Sequence, residues 1–161
     1  MTKKQKIKKL FAILLKNKIK ICVAESITGG KFTSEIIKFP GASKIIDYSV
    51  VCYSNESKKE FLKIDKQIKK YGVVSSEVAK LMVKNLTQFS KSKKLLTISC
   101  TGYAGPAKKN IKEKVGNVFI GINFKRKIFA VEKNFKFNNR LKIINATTEE
   151  MIKIALDTIQ E

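Results

Sequence analysis

The sequence predicts an α/β fold: a three-layer α/β/α sandwich on a mixed sheet, with residues 1–161 forming a single domain. Three observations carry the prediction. Short β-branched apolar runs alternate with segments of helical apolar spacing through the first hundred residues. Two alternating runs then follow closely between residues 116 and 137, as the strands of a hairpin do. Finally, 161 residues with 43% hydrophobic content supply one sizeable core. Helices between early strands and a late hairpin give a sheet of mixed direction with helices on its faces.

The elements follow in order. Residues 3–18 place Ile7, Leu10, Phe11, Leu14 and Leu15 at helical spacing among lysines. The apolar stretch 10–15 has no small-residue cleavage site after it, so it reads as the buried face of a first helix and not as a leader. Residues 19–23 form a short buried strand. The glycines of Ala24-Glu25-Ser26-Ile27-Thr28-Gly29-Gly30 then open a helix with Phe32, Ile36 and Ile37 on its apolar face, stopped by Pro40-Gly41. Residues 45–53 read as a strand, 55–61 as a short helix. A helix begins around Val74-Ser75-Ser76-Glu77, capped by Ser75 or Ser76, with Val78, Leu81, Met82 and Leu86 as its buried stripe. A strand at 95–100 runs into Thr101-Gly102-Tyr103-Ala104-Gly105-Pro106. Strands at 116–124 and 128–137 flank a turn holding Arg126. Thr147 caps, or nearly caps, a last helix carrying Met151, Ile152, Ala155, Leu156 and Ile159.

Composition narrows the chemistry. The chain has no histidine, which removes Ser-His-Asp and Cys-His catalysis and ordinary histidine-containing zinc sites. Cys22, Cys52 and Cys100 are scattered inside apolar stretches and read as reduced, buried thiols of a cytoplasmic protein. No apolar run approaches the roughly 18 residues that span a bilayer, so no membrane partner is expected. The net charge of +21 is spread along the whole chain, and of the 34 basic residues only Arg126 and Arg140 are arginine. Dedicated nucleic-acid surfaces recruit arginine for bidentate contacts. The lysine excess therefore reads as a coding bias at solvated positions, with nucleic acid attracted only non-specifically.

Three loops rich in small and polar residues fall at the ends of predicted strands: residues 25–30, 53–58 and 101–106. In open α/β sheets ligands bind at the carboxyl ends of the strands. A serine in such a loop needs a base to become a nucleophile, and without histidine a lysine of lowered pKa is the base available. Lys58, the last residue of the second loop and followed by Lys59, satisfies the requirement; among so many lysines its position alone does not single it out. Gly29 and Gly30 open a helix whose N–H groups favour an oxyanion or a phosphate. Neither a P-loop nor a dinucleotide-binding glycine pattern is present.

Six segments in order resemble the CinA C-terminal domain family of competence/damage-inducible proteins, whose stand-alone members are nicotinamide-mononucleotide deamidases. They are Ala24 to Gly30 (AES-x-TGG), Pro40-Gly41-Ala42-Ser43, Tyr53-Ser54-Asn55-Glu56-Ser57-Lys58 (YSNExK), Gly72-Val73-Val74-Ser75, Thr101 to Pro106 (TG-x-AGP) and Val115-Gly116-Asn117-Val118. The resemblance covers nearly the whole chain. It implies hydrolysis of the carboxamide of nicotinamide mononucleotide, with Ser26 as nucleophile, Lys58 as base and no metal or cofactor. It also implies substrate contacts from the glycine-rich loops (Thr28, Gly29, Gly30, Thr101, Gly102, Gly105), a homo-oligomer, and no room for the additional N-terminal domain of larger members.

Beside this family reading, plainer readings of several residues stay open. Tyr53 and Asn55 orient Lys58 or contact the ligand, or Tyr53 simply packs on the core. Thr28 binds substrate or caps a helix. Glu25 satisfies backbone N–H groups or a lysine. Arg140 meets the substrate phosphate or is a surface residue at a helix start. The sequence departs from the family at residues 107–114, where a glycine-rich stretch is replaced by charge, and at Asn138-Asn139 and Ile144, where Gly-Asp and a second arginine are expected. These departures leave a catalytically weak nucleotide-binding module, or a basic nucleic-acid-binding protein, as alternatives.

Overall fold

The computed structural model describes residues 1–106 and 114–160. Five strands form one sheet in the order β2-β1-β3-β4-β5: β1 (Lys20–Glu25), β2 (Ile46–Val51), β3 (Leu95–Gly102), β4 (Asn117–Phe124) and β5 (Lys127–Asn134). β1 runs parallel to both β2 and β3, and β3, β4 and β5 run antiparallel in turn. Among the described residues the mixed sheet is covered on both faces by six α-helices: α1 (Lys3–Lys16), α2 (Lys31–Ile37), α3 (Asn55–Leu62), α4 (Asp65–Tyr71), α5 (Ser76–Leu86) and α6 (Arg140–Gln160).

Strand alternation divides the core. From β1, Ile21 and Val23 join α1, α2 and α6 on one face, while Cys22 and Ala24 meet Leu62, Ile64, Val78, Met82 and Leu86 on the other. β3 alternates the same way, but its second face carries hydroxyls. Thr97 donates to Val83 O (3.3 Å), Ser99 to Ala79 O (2.8 Å) and Thr101 to Val73 O (2.8 Å). Gly121 on β4 completes this close approach, since a Cβ there would stand 2.3 Å from Ala79 O. α5 is thereby docked tightly on the sheet, with its N-cap Ser75 accepting from Val78 N at 3.2 Å.

Two sequence expectations are corrected. The last helix begins at Arg140, so Thr147 lies inside it and not at its cap; the Thr147 hydroxyl turns back onto Ile143 O (2.8 Å), a bond that lets threonine sit in a helix interior. α4 was not expected: it is a short, mostly polar helix without a buried stripe. Among the described residues no helix is long and apolar enough to cross a membrane.

Candidate functional site

β1 leads to Ser26, β2 leads to α3 and Lys58, and β3 ends in Thr101-Gly102. These three parallel strands are neighbours, with β1 between the other two. The chain leaves β1 toward β2 over one face and later reaches β3 from the other. The carboxyl end of β1 is thus a point where connections diverge, the position at which open α/β sheets form a crevice. A cavity of about 270 Å³ lies there, lined by Ser26, Tyr53, Asn55, Lys58, Thr101, Gly102, Gly105 and Arg140 from the expected set. Ile27, Val73, Val74, Tyr103, Ala104 and Pro106 line it too.

Lys58 is the unusual residue. It is 1% exposed, and its Nζ lies 3.0 Å from Ser26 Oγ. The ammonium end also donates to the carbonyls of Cys52 (2.7 Å), Tyr53 (3.2 Å) and Ser54 (3.4 Å). α3 fixes this placement: Ser54 caps it, exchanging hydrogen bonds with Ser57, and Lys58 follows one turn in, pointing back under the loop. No carboxylate pairs with Lys58 among the described residues. Burial therefore drives its pKa below the usual lysine value, opposed only by the Cys52 and Cys100 thiols nearby. A neutral amine has two N–H donors and one lone pair. Cys52 O and Tyr53 O can take the donors while the lone pair receives the Ser26 hydroxyl proton. The surroundings thus suit the neutral amine as well as the ammonium.

Glu25 holds the serine loop together. It is fully buried. Its Oε2 accepts from Thr28 Oγ1 (2.6 Å), Gly30 N (3.0 Å) and Phe32 N (3.0 Å), and its Oε1 accepts from Thr33 N (2.9 Å) and Thr33 Oγ1 (2.7 Å). A carboxylate built into the chain thus occupies the start of α2. Gly29 N donates to Ser26 O (3.1 Å), and Thr28 Oγ1, whose own proton goes to Glu25, accepts from the Cys100 thiol (3.1 Å). Thr28, Gly29 and Gly30, expected at the substrate, lie outside the cavity lining, and the Gly29 and Gly30 N–H groups are engaged within the loop. Among the described residues, the Ser26, Ile27 and Thr28 amides of this loop donate to no oxygen, and of these three residues Ser26 and Ile27 border the cavity.

The thiols are not rival nucleophiles. Burial pushes Cys100 and Cys22 up to about 11 and also raises Cys52, so all three are protonated near neutrality. Tyr53 is 58% exposed and does not pack on the core. Its carbonyl holds Lys58, and its hydroxyl accepts from Arg140 Nη2 (2.6 Å). Arg140 Nη1 donates to Gly105 O (2.5 Å), so the guanidinium spans the cavity mouth between two loops. Asn55 is exposed at the rim and makes no bond to Lys58. Ile144 packs against the core and supplies no polar group. Of the altered stretch 107–114, all but Lys114 lie outside the described residues. Val73 and Val74 were legible only as the start of a helix, although the Gly72-Val73-Val74-Ser75 segment marked them. Among the described residues no three Cys, Asp or Glu side chains are grouped to hold a metal ion.

Comparison with known proteins places this geometry. The model of the CinA C-terminal domain matches residues 3–159. A Caldicellulosiruptor bescii protein named for competence-damage induction is 35% identical over 147 residues, which cover 90% of this chain and 35% of that protein. A CinA-like protein of Petrotoga mobilis is 36% identical over 127 residues, covering 78% of this chain and 31% of that protein. The chain spans about a third of the length of these curated relatives. The fold matches crystal structures of CinA superfamily proteins from Klebsiella pneumoniae (TM-score 0.90, 18% identity, 99% of each chain covered) and Escherichia coli (TM-score 0.87, 20% identity, 99% of this chain and 91% of that one).

Proposed function

This chain belongs to the CinA C-terminal domain family, and we propose that it is an amidohydrolase that deamidates nicotinamide mononucleotide to nicotinate mononucleotide and ammonia. The observation that carries the proposal is the buried pair of Ser26 Oγ and Lys58 Nζ, 3.0 Å apart, with no carboxylate among the described residues to hold Lys58 charged.

Ser26 Oγ attacks the carboxamide carbon while its proton passes to Lys58 Nζ. The tetrahedral oxyanion takes a hydrogen bond from Ile27 N–H, the amide following the nucleophile. One such donor is typically worth about 3 kcal/mol. Lys58 then returns the proton to the leaving nitrogen, ammonia departs, and an ester on Ser26 remains. A water molecule, deprotonated by Lys58, attacks that ester; the nicotinate carboxylate forms and Ser26 recovers its proton. Arg140 at the mouth of the cavity meets the substrate phosphate. Tyr53 and the carbonyls beside it keep Lys58 aimed at Ser26.

The test is ammonia release from nicotinamide mononucleotide by purified protein, beside Ser26→Ala and Lys58→Met. Release by the wild type and loss in both variants supports the reading. A folded wild type that releases no ammonia refutes the activity, and release that survives Ser26→Ala refutes the mechanism.

A further inference from the structure

A second, larger cavity of about 780 Å³ lies at the opposite end of the sheet. This volume is within the size range of small-molecule sites. Its walls are the start of β3 and the loop before it, the end of α5, and the turn between β4 and β5. Its apolar lining comes from Ile19, Leu95, Phe124, Ile128 and Ile159. Lys84, Lys93, Lys94, Lys125 and Arg126 surround it, and among the described residues no Asp or Glu lines it. Among the described residues none of these five cations is ion-paired. Lys94 Nζ donates to Asn17 O (3.3 Å) and Lys125 Nζ lies over the Phe124 ring, while Ser90 turns its hydroxyl to Asp47 outside the cavity.

Two further observations single out Arg126. Only Arg126 and Arg140 are arginine among the 34 basic residues. Lysine serves wherever a solvated charge suffices in this chain, so arginine marks places where a planar, two-pronged donor is needed. Arg140 stands at the mouth of the first cavity, Arg126 at the second. Moreover, Lys125 and Arg126 form the two-residue hairpin turn with φ of 49° and 65°. A turn with positive φ at both central residues favours Asn-Gly. Two long cationic side chains occupy it here in place of the favoured pair, a left-handed backbone that Lys18 and Lys63 also adopt, singly, after helices.

We propose that this cavity binds a phosphorylated small molecule of nucleotide size, with Arg126, Lys93 and Lys84 on the phosphates and the apolar part against Ile19, Phe124 and Ile159. The combination of an apolar floor and a cationic rim fits such a molecule better than an extended polyanion, which needs charge along a stripe.

The test is equilibrium dialysis of the full chain with adenosine triphosphate, inorganic pyrophosphate and adenosine at about 150 mM salt, where surface electrostatics are screened. The expected result is saturable binding of the nucleotide, competed by pyrophosphate. Arg126→Gly should weaken binding about tenfold, the typical worth of one bidentate contact. Because glycine suits the left-handed turn, that variant should melt no lower than wild type, which separates lost binding from lost structure. Arg140→Lys should change the affinity less than about twofold, since non-interacting sites behave independently. Equal affinity in wild type and Arg126→Gly overturns the proposal. So does nucleotide binding that is lost in Arg140→Lys, or an association seen only with RNA at low salt.

Discussion

Glu25→Gln is the substitution whose consequence follows most directly from the structure. The side chains are nearly isosteric, so no cavity is made. The change replaces one acceptor oxygen by an NH₂ donor inside a site built of five donors. With the NH₂ on the Oε2 side, it faces the amides of both Gly30 and Phe32. On the Oε1 side it faces the amide of Thr33, whose hydroxyl can rotate to accept. The second orientation leaves the part-buried Thr33 amide without its partner, at about 1–3 kcal/mol. The three remaining bonds lose their charge assistance, roughly halving each. The lower cost of burying a neutral group offsets part of this. The net loss is about 2–4 kcal/mol, or a melting temperature lower by about 5–15 °C for a chain of this size. Thermal unfolding followed by circular dichroism measures it. A Glu25→Gln variant melting within about 1 °C of wild type would refute the view that this carboxylate organises the serine loop, since the magnitude rests on that one amide.

Lys58 predicts two pH dependences. If the neutral amine is the base, deamidation rises with pH through its lowered pKa and then levels, and Lys58→Arg, which cannot deprotonate, is inactive throughout. Between that lowered pKa and the unfolded value of about 10.4, the unfolded chain binds one more proton, so stability rises with pH in that window. Lys58→Met should abolish this rise in urea midpoints measured against pH; an unchanged slope would show that Lys58 is charged in the fold. Gly121→Ala places a Cβ 2.3 Å from Ala79 O and 2.6 Å from Ser99 Oγ. α5 must then lift from the sheet at about 3 kcal/mol, visible as a lower urea midpoint. Arg140→Lys cannot span Gly105 O and Tyr53 OH, so KM for the nucleotide should rise about tenfold with kcat nearly kept; a fall in kcat at constant KM would assign Arg140 to the chemical step.

Much of the fold was legible because period and punctuation agree. β1 reads as a continuous apolar run because it is central and covered on both faces, and α5 carries both its cap and its stripe. Thr147 misled because a threonine before an apolar run has the same signature at a cap as inside a helix, where its hydroxyl bonds the preceding turn. α4 was illegible for the opposite reason: it has no buried stripe to read. At the site, Ser26 and Lys58 are 32 residues apart, and composition gave no ground for choosing Lys58 among so many lysines. What distinguishes it is the capped turn of α3, which carries it inward beneath β2. The amides around Thr28, Gly29 and Gly30 read as an anion site because a helix opens there. Glu25, which the sequence offered as a partner for backbone N–H groups or for a lysine, takes the first role and supplies that anion from one residue before the serine.

That internal anion constrains any substrate. The start of α2 attracts negative charge, and Glu25 neutralises it at close range with both oxygens. A substrate phosphate or a developing oxyanion is therefore turned away from α2 and toward the other side of Ser26. There the available groups are Ile27 N–H, Lys58 once protonated, and Arg140. This separates charges by task. On the proposed mechanism, the buried carboxylate fixes the backbone that aims Ser26, the buried amine would exchange a proton with it, and the exposed guanidinium would meet the part of the ligand that stays in water. A histidine-free pocket can work in this order only if the carboxylate and the amine do not pair. Glu25 has no cation within ion-pair distance among the described residues, and Lys58 has no carboxylate. The fold enforces this by closing Glu25 with five donors from its own loop, leaving Lys58 free to face the serine.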